Sequence, residues 1–406
     1  MSDQKPLQVE EALARVLAHA RPLGGTELVA LPQALGRTLA ADVAARRTHP
    51  PQDVSAMDGY AVRAADFAAG SARVRLVGES AAGHGFPRAL AAGECARIFT
   101  GAPVPQGADA ILLQEDAINQ NGLVAATEPP VVGRHIRTRG LDFAEGRVGI
   151  ASGTRLKPAH LAFAAAMDHP ALCVARAPRV AIIASGDELV APGQATTPTQ
   201  IVSSNNFAVA AIVMEAGGVP FDLGICRDDL DDLARGLERA RSNGVDVIVT
   251  IGGASVGDHD LLRPALAAQG MALDFWRIAM RPGKPLIFGR LGDVFALGLP
   301  GNPAASFVCA LLFLKPLIRA LLGDPEAGGD PTEAGRLGVD LPANKARRDY
   351  MRARLAPDAQ GGFVATPQPL QDSSMLTEIV WSQALLLREI GAPPAKAGDP
   401  CRIIRI

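Results

Sequence analysis

Short apolar runs alternate with longer amphipathic segments in the middle of the chain, from about residue 178 to residue 322. The apolar runs have the length of buried strands, and the longer segments repeat apolar residues at helical spacing. In chain order, these segments are Val180–Ala184, Ser204–Ala216, Val219–Gly224, Leu230–Leu237 and Val245–Ile251. Strands and helices that alternate in this way form a parallel α/β sheet, whose binding residues are expected at the carboxyl ends of the strands.

The pattern changes on both sides of this α/β region. Two helices are predicted before it, one from the apolar spacing within residues 9–17 and one over Gly153–Ala166. Between residues 47 and 146, short β-like runs such as Ala110–Leu113 are separated by Gly, Pro and Asn turns, which indicates a small β-rich unit. Residues 323–331 have the composition of a linker, and the rest of the chain predicts a small all-β domain.

Two further apolar runs, Leu286–Phe288 and Val294–Leu297, are separated by a short turn and predict a β-hairpin. Each strand has a Gly/Pro-rich loop at its outer end, with Met280–Pro285 before the first strand and Pro300–Pro303 after the second. A hairpin places two such loops at the same edge of a sheet.

These two loops carry the groups that an oxyanion site needs. Arg281 and Lys284 supply cations in the first loop. In the second loop, Asn302 suits the N-cap position of a helix and Pro303 suits its first turn. Backbone N–H groups at a helix start, together with a nearby cation, can bind an oxyanion. The alternative is that both loops are ordinary turns, since Gly and Pro are the commonest turn residues.

Glycine-rich and acidic loops follow two of the predicted strands. Ser185–Leu189 follows the first, and Gly252–Asp260 follows the last with three glycines and a serine, so its backbone can approach a phosphate closely. The absence of a P-loop ending and of G-x-G-x-x-G argues against an ordinary NTPase and a dinucleotide fold. Carboxylates at successive strand ends suit Mg²⁺ beside a phosphate, namely Asp187, Glu188, Asp258 and Asp260 in these loops and Asp228 after the strand Val219–Gly224. The alternative is that each Asp caps a helix or is solvated.

Composition narrows the classes of partner. A chain of 406 residues exceeds one ordinary core, so about two to four domains are expected. Forty basic and 42 acidic residues nearly balance, which argues against a strong attraction to nucleic acid or to membranes. The polar start Met1–Glu11 and five scattered cysteines favour a reducing cytoplasm. The apolar run Phe307–Leu314 is interrupted by Lys315 and Pro316 and is predicted to be a buried helix.

A series of motifs matches one known family in the same order along essentially the whole chain. The matching segments are Ser55–Val62, Thr100–Asp116, Arg139–Phe143, Ser185–Leu189, Ser204–Asn206, Gly252–Asp260, Arg281–Pro285 and Pro300–Ser306. On these residues the chain resembles the molybdopterin molybdenumtransferases, a family of MoeA-type proteins that includes the gephyrin E domain.

The resemblance implies an elongated homodimer of multidomain α/β and β architecture. Residues 1–46 and 147–177 would form a connecting domain, and residues 47–146 an inserted β-rich domain. Residues 178–326 would form a central α/β domain similar to the molybdopterin adenylyltransferases. Residues 327–406 would form a small C-terminal β-barrel.

The reaction implied by the resemblance is the insertion of molybdate into adenylylated molybdopterin, which releases AMP and yields the molybdenum cofactor with the help of Mg²⁺. Transient contacts with molybdopterin adenylyltransferase and with molybdoenzymes would follow, in the cytoplasm. Three alternatives are a non-catalytic scaffold, an adenylyltransferase and a generic nucleotide-binding ATPase. The adenylyltransferases resemble only the α/β domain, so they would leave residues 1–177 and 327–406 unexplained. A generic ATPase is disfavoured because this chain has no P-loop Lys.

Site residues are also implied by the matching motifs. The catalytic set is Asp58, Thr100, Asp142, Glu188, Asp228, Asp260 and Lys284, of which Glu188, Asp228 and Asp260 would bind the metal. The set that binds the substrates is Ser185, Gly252, Gly253, Ser255, Gly257, Arg281, Pro300, Gly301, Asn302, Pro303, Ser306, Arg347 and Ser373. The sequence departs from the family where Ser185 replaces the usual Thr and where Ser373 lacks flanking glycines. The choice of Arg347 over Arg348 depends on the alignment.

Overall fold

The computed structural model describes residues 5–68, 72–253, 261–358 and 361–406. The part before residue 178 contains α1 (Val9–His19), β1 (Thr26–Ala30), β2 (Val43–Ala44), β3 (Val54–Ser55), β4 (Gly59–Val62), β5 (Arg73–Ser80), β6 (Glu94–Ile98), β7 (Ala110–Leu113), β8 (Ala117–Gln120), β9 (Leu123–Ala126), β10 (Ile136–Arg137), β11 (Val148–Ile150), α2 (Pro158–Ala166) and β12 (Ala171–Ala175).

The rest of the chain contains the central domain and the C-terminal domain. Its elements are β13 (Arg179–Ser185), β14 (Leu189–Val190), β15 (Ile201–Val202), α3 (Asn205–Ala216), β16 (Val219–Cys226), α4 (Leu230–Ser242), β17 (Val247–Ile251), α5 (Leu262–Ala268), β18 (Ala272–Arg277), β19 (Met280–Arg281), β20 (Pro285–Leu291), β21 (Val294–Leu299), α6 (Pro303–Cys309), α7 (Lys315–Leu321), β22 (Glu333–Leu337), β23 (Arg348–Pro357), β24 (Phe363–Pro367), α8 (Thr377–Val380), β25 (Ala384–Arg388) and β26 (Pro400–Arg405).

The central sheet has six strands in the order β16-β13-β17-β21-β20-β18. β16, β13, β17 and β21 are parallel to one another, whereas β20 runs antiparallel to both of its neighbours. The predicted hairpin is therefore confirmed as β20–β21, and it brings the loop before β20 and the loop after β21 to one edge of the sheet.

Helices cover both faces of this sheet, as the strand sequences require. Val180 and Ile182 of β13 belong to a core with α1, α3, α6 and α7, while Ala181 and Ile183 belong to a second core with α4 and α5. Strands that are apolar on both faces are typical of a sheet buried between helix layers. The prediction of a central α/β domain is confirmed.

Local signals account for the end of α3 and the start of α4. α3 ends at Gly217, which has a φ of 97°, a conformation that glycine adopts without the steric cost of a Cβ. α4 begins after Asp229, whose carboxylate accepts a hydrogen bond from the N–H of Asp232. The helix predicted from Gly153 begins only at Pro158, because residues 153–157 form a turn and a bridge, so that part of the prediction was wrong.

The long apolar helix is a core helix. Residues Pro303–Leu321 are long and apolar enough to cross a membrane, but 67% of the most apolar window is buried inside the protein. The helix widens to π geometry over Ala310–Leu314. Pro316 has no N–H to donate to the carbonyl of Leu312, so the regular helical pattern cannot continue across this turn.

Two further β units flank the central domain. The inserted unit is a six-stranded sheet in the order β7-β4-β6-β5-β9-β8. At the C-terminus, β23, β24, β22, β26 and β25 follow one another, and β25 pairs back onto β23, which closes a five-stranded barrel. The predicted β-rich and barrel domains are thus confirmed, whereas the bounds assigned to each domain remain a prediction.

The inserted sheet gives a direct test of its packing. A Cβ at Gly59 would lie 2.0 Å from the carbonyl oxygen of Leu112, whereas a Cβ at Gly85 would meet only Pro103, at 3.5 Å. We expect Gly59→Ala to open the β4–β7 pairing and to raise hydrogen exchange in both strands. Gly85→Ala is the matched control and should exchange like the unmodified protein. Equal protection in both variants would contradict the packing described.

Candidate functional site

A cavity of about 810 Å³ lies at the carboxyl ends of β13 and β17 and between the two hairpin loops. The C-terminal barrel contributes one wall, so three parts of the chain meet there. The sequence-predicted residues that line this cavity are Ser185, Glu188, Asp228, Gly252, Gly253, Arg281, Lys284, Pro300, Gly301, Asn302, Pro303, Arg347 and Ser373. Most of the predicted site is therefore brought together in one place.

The floor of the cavity joins the ends of two neighbouring strands. The hydroxyl of Ser185, at the end of β13, donates to Asp228 Oδ1 at 2.7 Å. The N–H of Asp228 donates to Asp187 Oδ1 at 3.2 Å. Ser185 is buried, with 4% of its surface exposed, so this bond fixes the orientation of the Asp228 carboxylate. Ser185 thus keeps the hydroxyl group that the family's usual Thr would supply, and this hydroxyl is hydrogen-bonded to Asp228.

Two glycines allow backbone and carboxylate to approach one another. Gly252 has a φ of 93°, and a Cβ there would lie 2.4 Å from the carbonyl oxygen of Ser185. A Cβ at Gly186 would lie 2.6 Å from Glu188 Oε2. Any larger residue at Gly252 would push the two loops apart, and one at Gly186 would displace the Glu188 carboxylate.

Cations from the first hairpin loop line the same cavity. Among the described residues, the ammonium of Lys284 has no hydrogen-bonding or ion-pair partner, and it faces the cavity in a half-buried position. Arg281 also lines the cavity, but its guanidinium forms an ion pair with Asp349. Arg347 is exposed at the rim, whereas Arg348 is paired with Glu10 and Glu389 instead.

The barrel caps the start of the helix that follows the second hairpin loop. The N–H of Ala304 donates to the carbonyl of Ser373 at 2.9 Å, and Asn302 Nδ2 donates to Ser373 Oγ at 3.0 Å. Asn302 occupies the predicted N-cap position, but its side chain makes no capping bond within the helix. One backbone N–H at the helix start that was expected to face an anion, that of Ala304, is therefore already hydrogen-bonded to the barrel.

Ser306 does not line the cavity. It is 1% exposed, and within the described part of the chain its hydroxyl has no hydrogen-bonding partner. It lies one turn into α6 and donates its own N–H to the carbonyl of Asn302. Its predicted contact with substrate therefore has no support from its position.

Sequence reasoning missed Arg352, a buried arginine behind the cavity. Only 1% of it is exposed, and its guanidinium donates to the carbonyl of Asp372 at 2.9 Å. The side chain of Gln371 accepts a hydrogen bond from the N–H of Arg352 and donates one to its carbonyl. These bonds fix the loop that carries Ser373 to β23. Burial lowers the pKa of this guanidinium below its usual value. Nothing in the alternation of β23 distinguishes Arg352 from an exposed arginine.

Three predicted residues lie elsewhere, in the segment predicted to be the inserted domain. Thr100 donates to Asp58 Oδ1 from its N–H at 2.7 Å and from its hydroxyl at 2.8 Å. These bonds, first the backbone one and then the hydroxyl one, hold the pKa of the Asp58 carboxyl below its usual value. Asp142 lines a second cavity of about 820 Å³. Within this chain, none of the three reaches the first cavity.

Ser255, Gly257 and Asp260 lie outside the described residues. Across the described ranges, no group of three or more His, Cys, Asp or Glu side chains is arranged to hold a metal ion. Glu188 and Asp228 nevertheless line the same cavity, so two of the three predicted metal ligands border one site.

The fold is a central α/β domain with an inserted β-rich domain and a C-terminal β-barrel, and its main candidate site is the cavity at the carboxyl ends of β13 and β17. Residues 7–167 match the family described as "MoeA N-terminal region (domain I and II)", residues 181–320 match "Probable molybdopterin binding domain", and residues 334–406 match "MoeA C-terminal region (domain IV)". The chain belongs to the MoeA family of molybdopterin molybdenumtransferases, which confirms the resemblance.

Relatives of known name cover the chain from end to end. The molybdopterin molybdenumtransferase of Bacillus subtilis is 34% identical over 100% of this chain and 95% of its own length. That of Haemophilus influenzae is 30% identical over 98% of both chains. A crystal structure of the molybdopterin biosynthesis MoeA protein of Pyrococcus horikoshii aligns with 30% identity and a TM-score of 0.80, covering 99% of both chains.

The Asp58–Thr100 pair predicts a measurable titration. Thr100→Val keeps the backbone N–H but removes the hydroxyl donor. We expect the pKa of Asp58 in this variant, measured by carboxyl ¹³C NMR, to rise towards its usual value while remaining below it, because one of two stabilising bonds is lost. Thr127→Val, which removes a hydroxyl bonded only to the carbonyl of Asp116, is the control. An unchanged Asp58 pKa in Thr100→Val would contradict the geometry.

Proposed function

We propose that this protein inserts molybdate into adenylylated molybdopterin and releases AMP. The observation that carries the proposal is the single cavity that unites the Gly252–Gly253 backbone, the carboxylates of Glu188 and Asp228, and the cation Lys284. A phosphate anhydride and an oxyanion both need such donors and charges. The names of the full-length relatives support the same reaction.

The cavity offers two subsites. Gly252 and Gly253, both with positive φ, present backbone with no side chain between it and a phosphate. In the same cavity, Lys284 and Arg281 of the first hairpin loop would supply positive charge to an oxyanion. Desolvating a dianion is costly unless it is paired, so molybdate should bind on the cationic wall.

Mg²⁺ fits the carboxylate side of the cavity. Mg²⁺ is usually held by one or two carboxylates together with substrate phosphates and waters, and Glu188 and Asp228 are a donor set of this kind. Asp260 remains a predicted third ligand. When bound, the ion would neutralise charge that develops as the phosphate bond breaks. The hydroxyl of Ser185 would keep the Asp228 carboxylate oriented.

We propose that the active unit is a homodimer in which the inserted domain of one subunit faces the cavity of the other. Asp58, Thr100 and Asp142 carry family motifs but lie outside the cavity of their own chain. A site completed across two subunits would account for both facts.

The acids give the first test. We expect purified protein to release AMP from adenylylated molybdopterin in the presence of Mg²⁺ and molybdate. Glu188→Gln and Asp228→Asn should each fold normally but release AMP at least about tenfold more slowly, because a charge that assists phosphate cleavage is lost. Asp231→Asn, an exposed acid in the first turn of α4, is the matched control. If both variants release AMP at the rate of the natural protein, these acids have no part in the mechanism. If the natural protein itself releases no AMP, the alternative of a non-catalytic scaffold is favoured.

Lys284 gives the second test. Lys284→Ala should weaken molybdate binding about ten- to a hundredfold, which corresponds to the loss of one charge-assisted hydrogen bond worth about 1.5–3 kcal/mol. Binding of the nucleotide ligand should change much less, because Gly252 and Gly253 would hold its phosphate. Lys396→Ala, on the barrel beside Asp340, is the control. Loss of the nucleotide ligand with intact molybdate binding would reverse the two subsites.

Subunit mixing tests the dimer. Asp58→Asn and Glu188→Gln should each release AMP at least about tenfold more slowly than the natural protein as homodimers. After subunit exchange of equal amounts, half of the dimers should be mixed and each should contain one site with neither substitution, so AMP release should recover to about a quarter of the natural rate on statistical grounds. Exchange proven by mass spectrometry without any recovery would show that each site is built within one chain.

A further inference from the structure

The C-terminal barrel is hydrogen-bonded directly to the segment that precedes Lys284. Met280 and Arg281 form β19, a two-residue strand that pairs in parallel with the start of β23. In this register Arg281 lies beside Asp349, and the N–H of Arg348 donates to the carbonyl of Ala279 at 2.9 Å. The first hairpin loop is therefore tied to the barrel at the point where it enters the cavity.

Asp349 is a buried carboxylate whose partner lies on the cavity wall. Only 5% of Asp349 is exposed, and the described residues place its side chain in an ion pair with Arg281. The Arg281 side chain is 57% exposed and lines the cavity, whereas Asp349 does not. A buried carboxylate is stable only when it is paired, so this contact is strongly favoured over a freely rotating arginine.

The pair leaves Arg281 able to bind a second anion. A guanidinium has five N–H donors in a rigid plane, and Asp349 engages the Nη2 end. The remaining donors are held in a fixed direction rather than distributed over many rotamers. An arginine that is already ordered loses less entropy when it binds an anion, which is the usual origin of preorganised affinity.

The neighbouring Arg348 differs from Asp349 in its partners, although both residues lie at the start of β23. Arg348 forms ion pairs with Glu10 of α1 and with Glu389 at the end of β25. It does not line the cavity, although it is adjacent in sequence to Asp349. β23 thus directs one charged residue towards the loop of Lys284 and the next towards the N-terminal helix.

We propose that Asp349 is a positioning residue for the oxyanion subsite, which it serves by holding the guanidinium of Arg281 at the cavity wall. This inference rests on the proposed function, because it assigns molybdate to the cationic wall. It gives the C-terminal barrel a role in anion affinity as well as in capping α6 through Ser373. Asp349 itself does not touch the substrate.

A double-mutant cycle read by calorimetry tests this role, with molybdate and AMP as separate probes. Asp349→Asn should weaken molybdate binding roughly tenfold, the size expected for one charge-assisted hydrogen bond, and leave AMP binding within about twofold. Arg281→Gln should weaken molybdate at least as much. Because Asp349 acts through Arg281, the double variant should bind molybdate no more weakly than Arg281→Gln alone. Additive losses would overturn the inference, as would equal losses for both probes.

Conservative and control variants separate positioning from general damage. Asp349→Glu keeps the carboxylate and should recover part of the molybdate affinity lost in Asp349→Asn; equal affinities in the two would overturn the inference. Glu389→Gln removes the partner of Arg348 instead and should leave molybdate affinity unchanged. If Asp349→Asn does not fold, Asp349→Glu completes the cycle with Arg281→Gln.

Binding of AMP and of molybdate to the natural protein distinguishes a failure of the proposed function from a failure of the inference about Asp349. If it binds AMP but not molybdate, the oxyanion subsite of the proposed function is wrong, and the inference about Asp349 falls with it. If it binds both and Asp349→Asn binds molybdate normally, only the inference about Asp349 is wrong.

Discussion

The close approach of Gly252 to the carbonyl of Ser185 is the constraint on which the cavity depends. β13 and β17 are neighbours in the sheet, and their loops leave the same edge within van der Waals contact. A Cβ at residue 252 would lie 2.4 Å from that carbonyl, so only glycine permits the contact. On the other side of β13, the Ser185 hydroxyl orients Asp228 after the end of β16. The backbone of residues 252–253 lines the same cavity.

The cationic side of the cavity depends on contacts between domains. An antiparallel hairpin in an otherwise parallel sheet returns the chain to the same edge, and this brings Lys284 to the cavity that Gly252 lines. The barrel then completes the wall through Asp349, which holds Arg281, and through Ser373, which caps α6. The cationic side of the cavity is therefore an interdomain structure, because Asp349 of the barrel holds Arg281 there.

Much of the fold was predictable because its signals are local. The hairpin follows from two apolar runs around a turn, the end of α3 follows from Gly217, and the start of α4 follows from Asp229. The start of α2 was misplaced by five residues, since the turn at residues 153–157 has the same small and polar composition as a helix start. The motifs also identified the family, because loops that share chemistry with relatives keep their order along the chain.

The sequence by itself determined the residue types of the site, the strand ends that carry them and the family to which the chain belongs. Only the tertiary structure decided that Arg281 is paired with Asp349, that Arg347 rather than Arg348 lines the cavity, and that Ser306 is buried. It also showed that Asp58 and Thr100 bond each other outside the cavity of their own chain. The physical reason is distance along the chain: Arg281 and Asp349 are 68 residues apart, and no local propensity specifies which of several nearby charges a folded barrel will present to a loop.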